Sequence, residues 1–346
     1  MTGRRSDHGR RALAGVGDDA GLREARPPSD LTALDIARCS DLAAALGARA
    51  GATAVAQDGF LLVEWPLPWP ADAADVPELS GLAAQLADRR IRLQLVIGDA
   101  PPAGDLRVIW YRRCHPRPGY ERIERAVPRE RVADEAARLL ASNPPPAPQP
   151  RAIDVLVCTN GRRDVCCGRS GTALFSDARR SGVDDRPWVR LWRTSHLGGH
   201  RFAPTTLVLP DGTMWAWADV ALLAAIVDRA GHPADLLDRY RGTTTLARPL
   251  QALERLAFEE LGWEWLDWSR FGEQDDEGQV RIVGWPDTGD GRAWAGRSVL
   301  DRTVPAPKCG KRPAEDPTTD AELTVVDVAS VVVTRAQIEQ ELAAKR

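Results

Sequence analysis

Several signatures that would announce a function are missing from this sequence of 346 residues. No apolar run approaches the roughly 18 residues of a membrane span. The start, MTGRRSDHGRRALAGVGDDAGLREARPPSD, carries arginines but not the apolar stretch of a signal peptide. A cytoplasmic protein with no membrane partner is therefore expected. Net charge is only −3, so no broad basic field invites nucleic acid. No G-x-G-x-x-G follows a strand, which leaves any supply of electrons to an external protein. No placed pair of carboxylates suggests glycoside hydrolysis, and no repeat of fixed period runs along the chain. Cysteine and histidine are scarce too, at six and five. Six scattered cysteines in so long a chain do not make a secreted disulfide framework.

That scarcity makes one cluster informative. Three of the cysteines and two of the histidines fall within a 43-residue window, in CTNGRRDVCCG (Cys158 to Gly168) and HLGGH (His196 to His200). Soft ligands gathered like this hold a metal, switch a disulfide or attack a substrate.

The surrounding text is that of a globular α/β protein, 43% hydrophobic and 27% charged. Its length suits two domains of roughly 150 residues. Composition predicts a disordered extension over 1–30 and an α/β domain over 31–142, with helices in LTALDIARCSDLAAALG, LSGLAAQLADR and DEAARLLAS and strands in GFLLVEWPLPW, IRLQLVIG and LRVIWYR. NPPPAPQPR, 143–151, cannot continue a helix because proline lacks the amide donor, and is expected to be an extended linker. Beyond it, AIDVLVC delivers Cys158 at a strand end and WVRLWRTSH delivers His196. With the helices GTALFSDARRSG and VALLAAIVDRAG and the hairpin TTLVLPDGTMWAWAD, the order is β-α-β-β-β-α, close to a thioredoxin-like layout, in which Pro204 takes the place of that fold's cis proline. This second domain is expected over 152–312 and a tail over 313–346. The stretch from Leu236 to Trp268 reads as helical, QVRIVGW as a strand, and the tail as a strand and a helix.

Both ligand groups fall on loops at the ends of neighbouring strands, so they can converge. The two glycines of HLGGH can take positive φ, which lets the backbone wrap closely while two imidazoles point inward. A mononuclear zinc site fits the donor types, but seven or eight residues separate Cys158 from Cys166 and Cys167, wider than a zinc knuckle. A thiol-disulfide centre would leave the histidines without a role, and adjacent Cys166 and Cys167 would bridge only under strain. An iron-sulfur cluster fits the ligand count and the wide spacing. The thiol enzyme and the zinc-binding interaction module stand as alternatives to it.

CTNGRRDVCCG together with WRTSHLGGHRFAPTTLVLPDG resembles the sucrase/ferredoxin-like family, related to thioredoxin-like ferredoxins and to the fungal actin-patches-distal proteins. The likeness extends to RCSDLAAALGARAGATA, GFLLVEWPLPW, RYRGTTTL and VPAPKCG, about residues 35 to 312. It implies a 2Fe-2S cluster held by Cys158, Cys167, His196 and His200, serving electron transfer or redox sensing rather than catalysis. Cys166 is the alternative to Cys167, which is preferred because Gly168 follows it as in the C-G form of the motif. Histidine ligation should raise the potential above that of a four-thiolate cluster and couple it to a proton. The implied partner is a reductase or an acceptor protein; neither its identity nor the oligomeric state is written in the sequence. Arg162, Arg163, Arg169, Arg193 and Arg201 could dock an acidic partner. Trp192, Trp215 and Trp217 read as core or sheet-face aromatics, and Cys39, Cys114 and Cys309 as dispersed thiols that are buried or unreactive.

Overall fold

A computed structural model describes residues 38–100, 102, 104–141 and 152–345. The expected extension 1–30 and linker 143–151 lie outside the described residues. The remainder is a mixed α/β structure built on a nine-stranded mixed sheet and a four-stranded antiparallel one.

On the N-terminal side of 143–151, helix α1 (Cys39–Ala45) precedes β1 (Gly59–Glu64), α2 (Ser80–Ala87), β2 (Ile91–Ile97), β3 (Leu106–Arg113), β4 (Tyr120–Val127) and α3 (Val132–Ala141). β1 and β2 are parallel, β3 lies antiparallel on the other side of β1, and β4 closes a hairpin with β3. On the other side come β5 (Ile153–Cys158), α4 (Thr172–Arg180), β6 (Val189–Thr194), β7 (Thr206–Leu209), β8 (Thr213–Trp215) and α5 (Val220–Asp228). They repeat the pattern: β5 parallel to β6, β7 antiparallel to β5, and β8 paired with β7. The peptide bond before Pro204 is cis. The repeat is one of path, with no sequence period behind it.

The two halves share one sheet. Its order is β4-β3-β1-β2-β6-β5-β7-β8-β9, and the seam is an antiparallel contact of only two residue pairs, Val96 with Thr194 and Ile97 with Arg193. Buried polar groups reinforce it. The hydroxyls of Thr194 and Ser195 both donate to Gln94 Oε1 at 3.0 Å, and the Ser195 amide donates to the Leu95 carbonyl at 2.9 Å. Nearby, buried Asp154 accepts from Tyr111 Oη of the first half and from Arg190 and Trp192 Nε1 of the second.

β1 and β5 are buried along their whole length, as central strands covered on both faces are. Alternation then sorts their side chains. Leu61 and Val63 pack under α2 and α3, and Val155 and Val157 under α4 and α5. Phe60, Leu62, Leu156 and Cys158 enter a core on the opposite face that runs through both halves.

The C-terminal part departs most from expectation. The stretch read as helical contains β9 (Tyr240–Thr243), all four residues buried, which completes the large sheet before α6 (Arg248–Leu261) begins. Gly242 has φ of 123°, and the next residue, Thr243, is held from α6, its carbonyl accepting from Gln251 Nε2 and its amide donating to Glu254, so tertiary packing overrides the local helical pattern. The second sheet orders β10 (Ser269–Gln274), β11 (Gln279–Trp285), β12 (Gly291–Pro305) and β13 (Thr319–Val333), followed by α7 (Arg335–Ala344). The expected boundary at 312 falls inside the connection between β12 and β13, two 15-residue strands paired along their length. Among the described residues no helix is long and apolar enough to cross a membrane.

Candidate metal centre

The parallel crossover β5–α4–β6 creates the site. Two adjacent parallel strands end at the same edge of the sheet, so Cys158, the last residue of β5, and His196, two residues beyond β6, arrive side by side. Cys166 and Cys167 lie where the chain turns into the helix that becomes α4. Consecutive helical residues point about 100° apart. Cys167 therefore joins Cys158 and His196, whose ligand atoms all lie within 4.8 Å of one another, while Cys166 faces away from them. His200 stands outside this trio, with Nδ1 3.6 Å from Asp164 Oδ1 and Nε2 3.3 Å from the Pro307 carbonyl oxygen.

Close backbone packing sets the positions. A Cβ on Gly171 would lie 1.9 Å from the Cys158 carbonyl oxygen, so only glycine lets the helix approach the end of β5. In HLGGH both Gly198 and Gly199 have positive φ, 86° and 74°. The loop is clamped from two sides. Buried Arg241 of RYRGTTTL donates to the Gly198 carbonyl and the Thr53 carbonyl at 3.0 and 2.8 Å. Arg92 and Gln94, both on β2, donate to the His196 carbonyl at 2.6 and 3.3 Å. The first half thus braces the second half's ligand loop.

The electrostatics bind the trio together. The Cys167 thiol donates to Cys158, which with His196 overcomes burial and holds Cys158 well below the ordinary thiol range; Cys167 is raised by the same bond. Burial works against a charged His196 ring, but the Asp164 carboxylate and the Cys158 thiolate outweigh it and hold the ring up at about 9. Burial likewise opposes the Asp164 carboxylate, and the two histidines reverse it and lower its pKa. Asp164 Oδ2 and His196 Nδ1 are 2.9 Å apart but out of line for a hydrogen bond, so both remain unsatisfied buried atoms within the chain alone. Two thiols sharing a proton, an imidazole and orphaned polar atoms in one buried place are a donor set that fits a thiophilic metal group.

Sequence reasoning missed Asp164, Arg92, Gln94 and Arg241. Asp164 alone left a signal, lying between the cysteines of the motif; the others needed the fold. It also erred on the dispersed thiols. Cys39 and Cys309 converge on Cys166, with Sγ atoms 3.2 and 3.9 Å from it, because α1 and the β12–β13 connection both pack beside the start of α4. The Cys39 thiol donates to Cys166 and holds it down at about 5. Cys114 stands apart, beside Arg112 and Glu121. Trp192 and Trp215 are buried core aromatics, as expected.

Fold and site define a mixed α/β protein with a buried cysteine-histidine centre. A profile of the sucrase/ferredoxin-like family matches residues 52–242, more than half of the chain, and the protein belongs to that family. No curated protein and no solved structure matches it. The matched span includes Cys158, Cys167, His196 and His200 and leaves Cys39 and Cys309 outside.

Proposed function

We propose that this protein holds a 2Fe-2S cluster through Cys158, Cys167, His196 and His200 and exchanges single electrons with a partner protein, as a carrier or a redox sensor. The observation that carries this reading is the convergence of Cys158, Cys167 and His196 within 4.8 Å, backed by Asp164, in a chain of the sucrase/ferredoxin-like family. The strand order β6-β5-β7-β8, with β7 antiparallel to β5, supports a thioredoxin-like ferredoxin unit around it.

When bound, the cluster supplies a one-electron couple, and with two thiolates and two neutral imidazoles its oxidised form carries no net charge, which favours electron uptake. The chain's residues do the rest. Cys158 and Cys167 are almost wholly buried, whereas the His196 and His200 side chains are 19% and 25% exposed, so histidine forms the edge through which an electron passes. Asp164, close to both rings, stays ionised and favours the protonated form of an imidazole, so its charge supports proton uptake there. Arg162, Arg163 and Arg169 are exposed beside this edge and favour an acidic face on the partner.

The test is anaerobic purification followed by iron and sulfide analysis, visible absorption and electron paramagnetic resonance of the reduced protein. About two irons and two sulfides per chain are expected, with loss or alteration of the spectrum in a His196→Ala/His200→Ala variant. A colourless protein with reactive thiols, or with zinc in place of iron at this centre, would overturn the reading. Proton coupling has its own readout: the midpoint potential should fall with rising pH by up to about 59 mV per unit, a tenfold change for a one-electron couple.

A further inference from the structure

Three thiols gather outside the centre just described. Cys39 opens α1, Cys166 lies in the first helical turn before α4, and Cys309 lies in the connection between β12 and β13. Cys39 and Cys309 come to Cys166 from 127 and 143 residues away in the chain, and the three Sγ atoms all lie within 4.8 Å of one another. All three are free; Cys39 and Cys166 are buried and Cys309 is half-buried. The Sγ separations of 3.2 and 3.9 Å from Cys166 bracket the spacing of about 3.8 Å that follows for two sulfurs bound tetrahedrally to one ion by bonds of about 2.3 Å. In a cluster of several irons, thiolates on different irons stand farther apart, with the bridging sulfides between them, whereas these three sulfurs are close enough to share one ion. Three thiolates select a soft ion over magnesium or calcium.

We propose that Cys39, Cys166 and Cys309 form a second metal site, which takes a single Zn2+ ion on three thiolates with water as the fourth ligand. Water reaches the ion from the side of half-buried Cys309. Binding releases the thiol protons and involves no redox change. The ion ties α1 and the β12–β13 connection to the helical turn that carries Cys167, so it pins two segments that lie outside the family match. The same connection places the Pro307 carbonyl against His200. The site therefore steadies one wall of the first centre without contributing a ligand to it.

The full chain, purified anaerobically without chelators, should contain about one zinc per chain in addition to any iron. Exchange of zinc for Co2+ should give thiolate-to-cobalt charge transfer and the intense visible bands of tetrahedral cobalt. Cys39→Ser/Cys309→Ser should lose the zinc and keep its iron, while His196→Ala/His200→Ala should lose the iron and keep its zinc. The two metals thereby report on the two sites separately, and failure of one reading leaves the other standing. Should the double cysteine variant fail to fold, Cys309→Ser alone, altered in a half-buried connection, should weaken zinc retention against a competing chelator at least tenfold. Wild type without stoichiometric zinc overturns the proposal, as does zinc retained by both cysteine variants. So does copper or iron in place of zinc at these thiols, or a mass two hydrogens low that marks a Cys39–Cys166 disulfide.

Discussion

Glu64 ends β1 at the position where Cys158 ends β5, two six-residue strands buried throughout and each flanked by a parallel partner and an antiparallel one. Glu64 spends its carboxylate on Arg107, 3.3 Å away, and on the Arg107 amide. Cys158 offers its sulfur to Cys167 and His196. After β1 the chain runs through a proline-rich loop to α2; after β5 it turns at once through Asp164 and two cysteines into a helix. The same path thus carries an ion pair in one half and a donor set in the other. A scaffold of this kind places strand ends, and the loops decide the chemistry. The first half is not idle, since Arg92 and Gln94 hold the His196 loop across the seam.

The sharpest break in the comparison is at the crossover helices. Gly171→Ala must push the start of α4 off the Cys158 carbonyl, 1.9 Å from the added carbon, and should cost about 3 kcal/mol or more in urea unfolding, with loss of metal from the first centre. Removing the brace should cost less. Gln94→Leu leaves the Ser195 hydroxyl without its acceptor in a buried seam, while Thr194 keeps only the Leu95 carbonyl, and should destabilise by about 1–3 kcal/mol. Its metal affinity should fall as the His196 loop loosens, and an unchanged affinity would show that the halves are independent. The smallest effect belongs to the first half's own helix glycine. Gly81, exposed in α2 with nothing within 4 Å of an added Cβ, should gain about 0.5–1 kcal/mol when changed to Ala, measured by thermal unfolding. Opposite signs at Gly171 and Gly81 would confirm that only the second crossover is packed around a site.

Strands with apolar runs, such as GFLLVE, IRLQLVI and IDVLVC, were legible because burial on both faces leaves little room for polar residues. β4 was not: of YERIERAV only Tyr120 and Ile123 are buried, since the strand sits at the sheet edge and keeps charges in water. β10 and β12 escaped for a similar reason, being half-exposed strands of the second sheet. The convergence of Cys158, Cys167 and His196 was legible because these residues lie close in sequence, at the ends of neighbouring strands. The thiols of Cys39 and Cys309 were not, because each stands alone in its own stretch.

Taken alone, the amino-acid order determined which residue types could bind a metal and that two loops of such residues end neighbouring strands, because periodic burial and short turns are local properties. Tertiary structure decided the rest. It joined the two halves into one sheet through two residue pairs, turned Cys166 and Cys167 toward different neighbours, and set Asp164 between two histidines. It also brought three thiols from distant segments to one point. These depend on how strands order and helices pack across the whole chain, and no local pattern encodes a contact made 127 residues away.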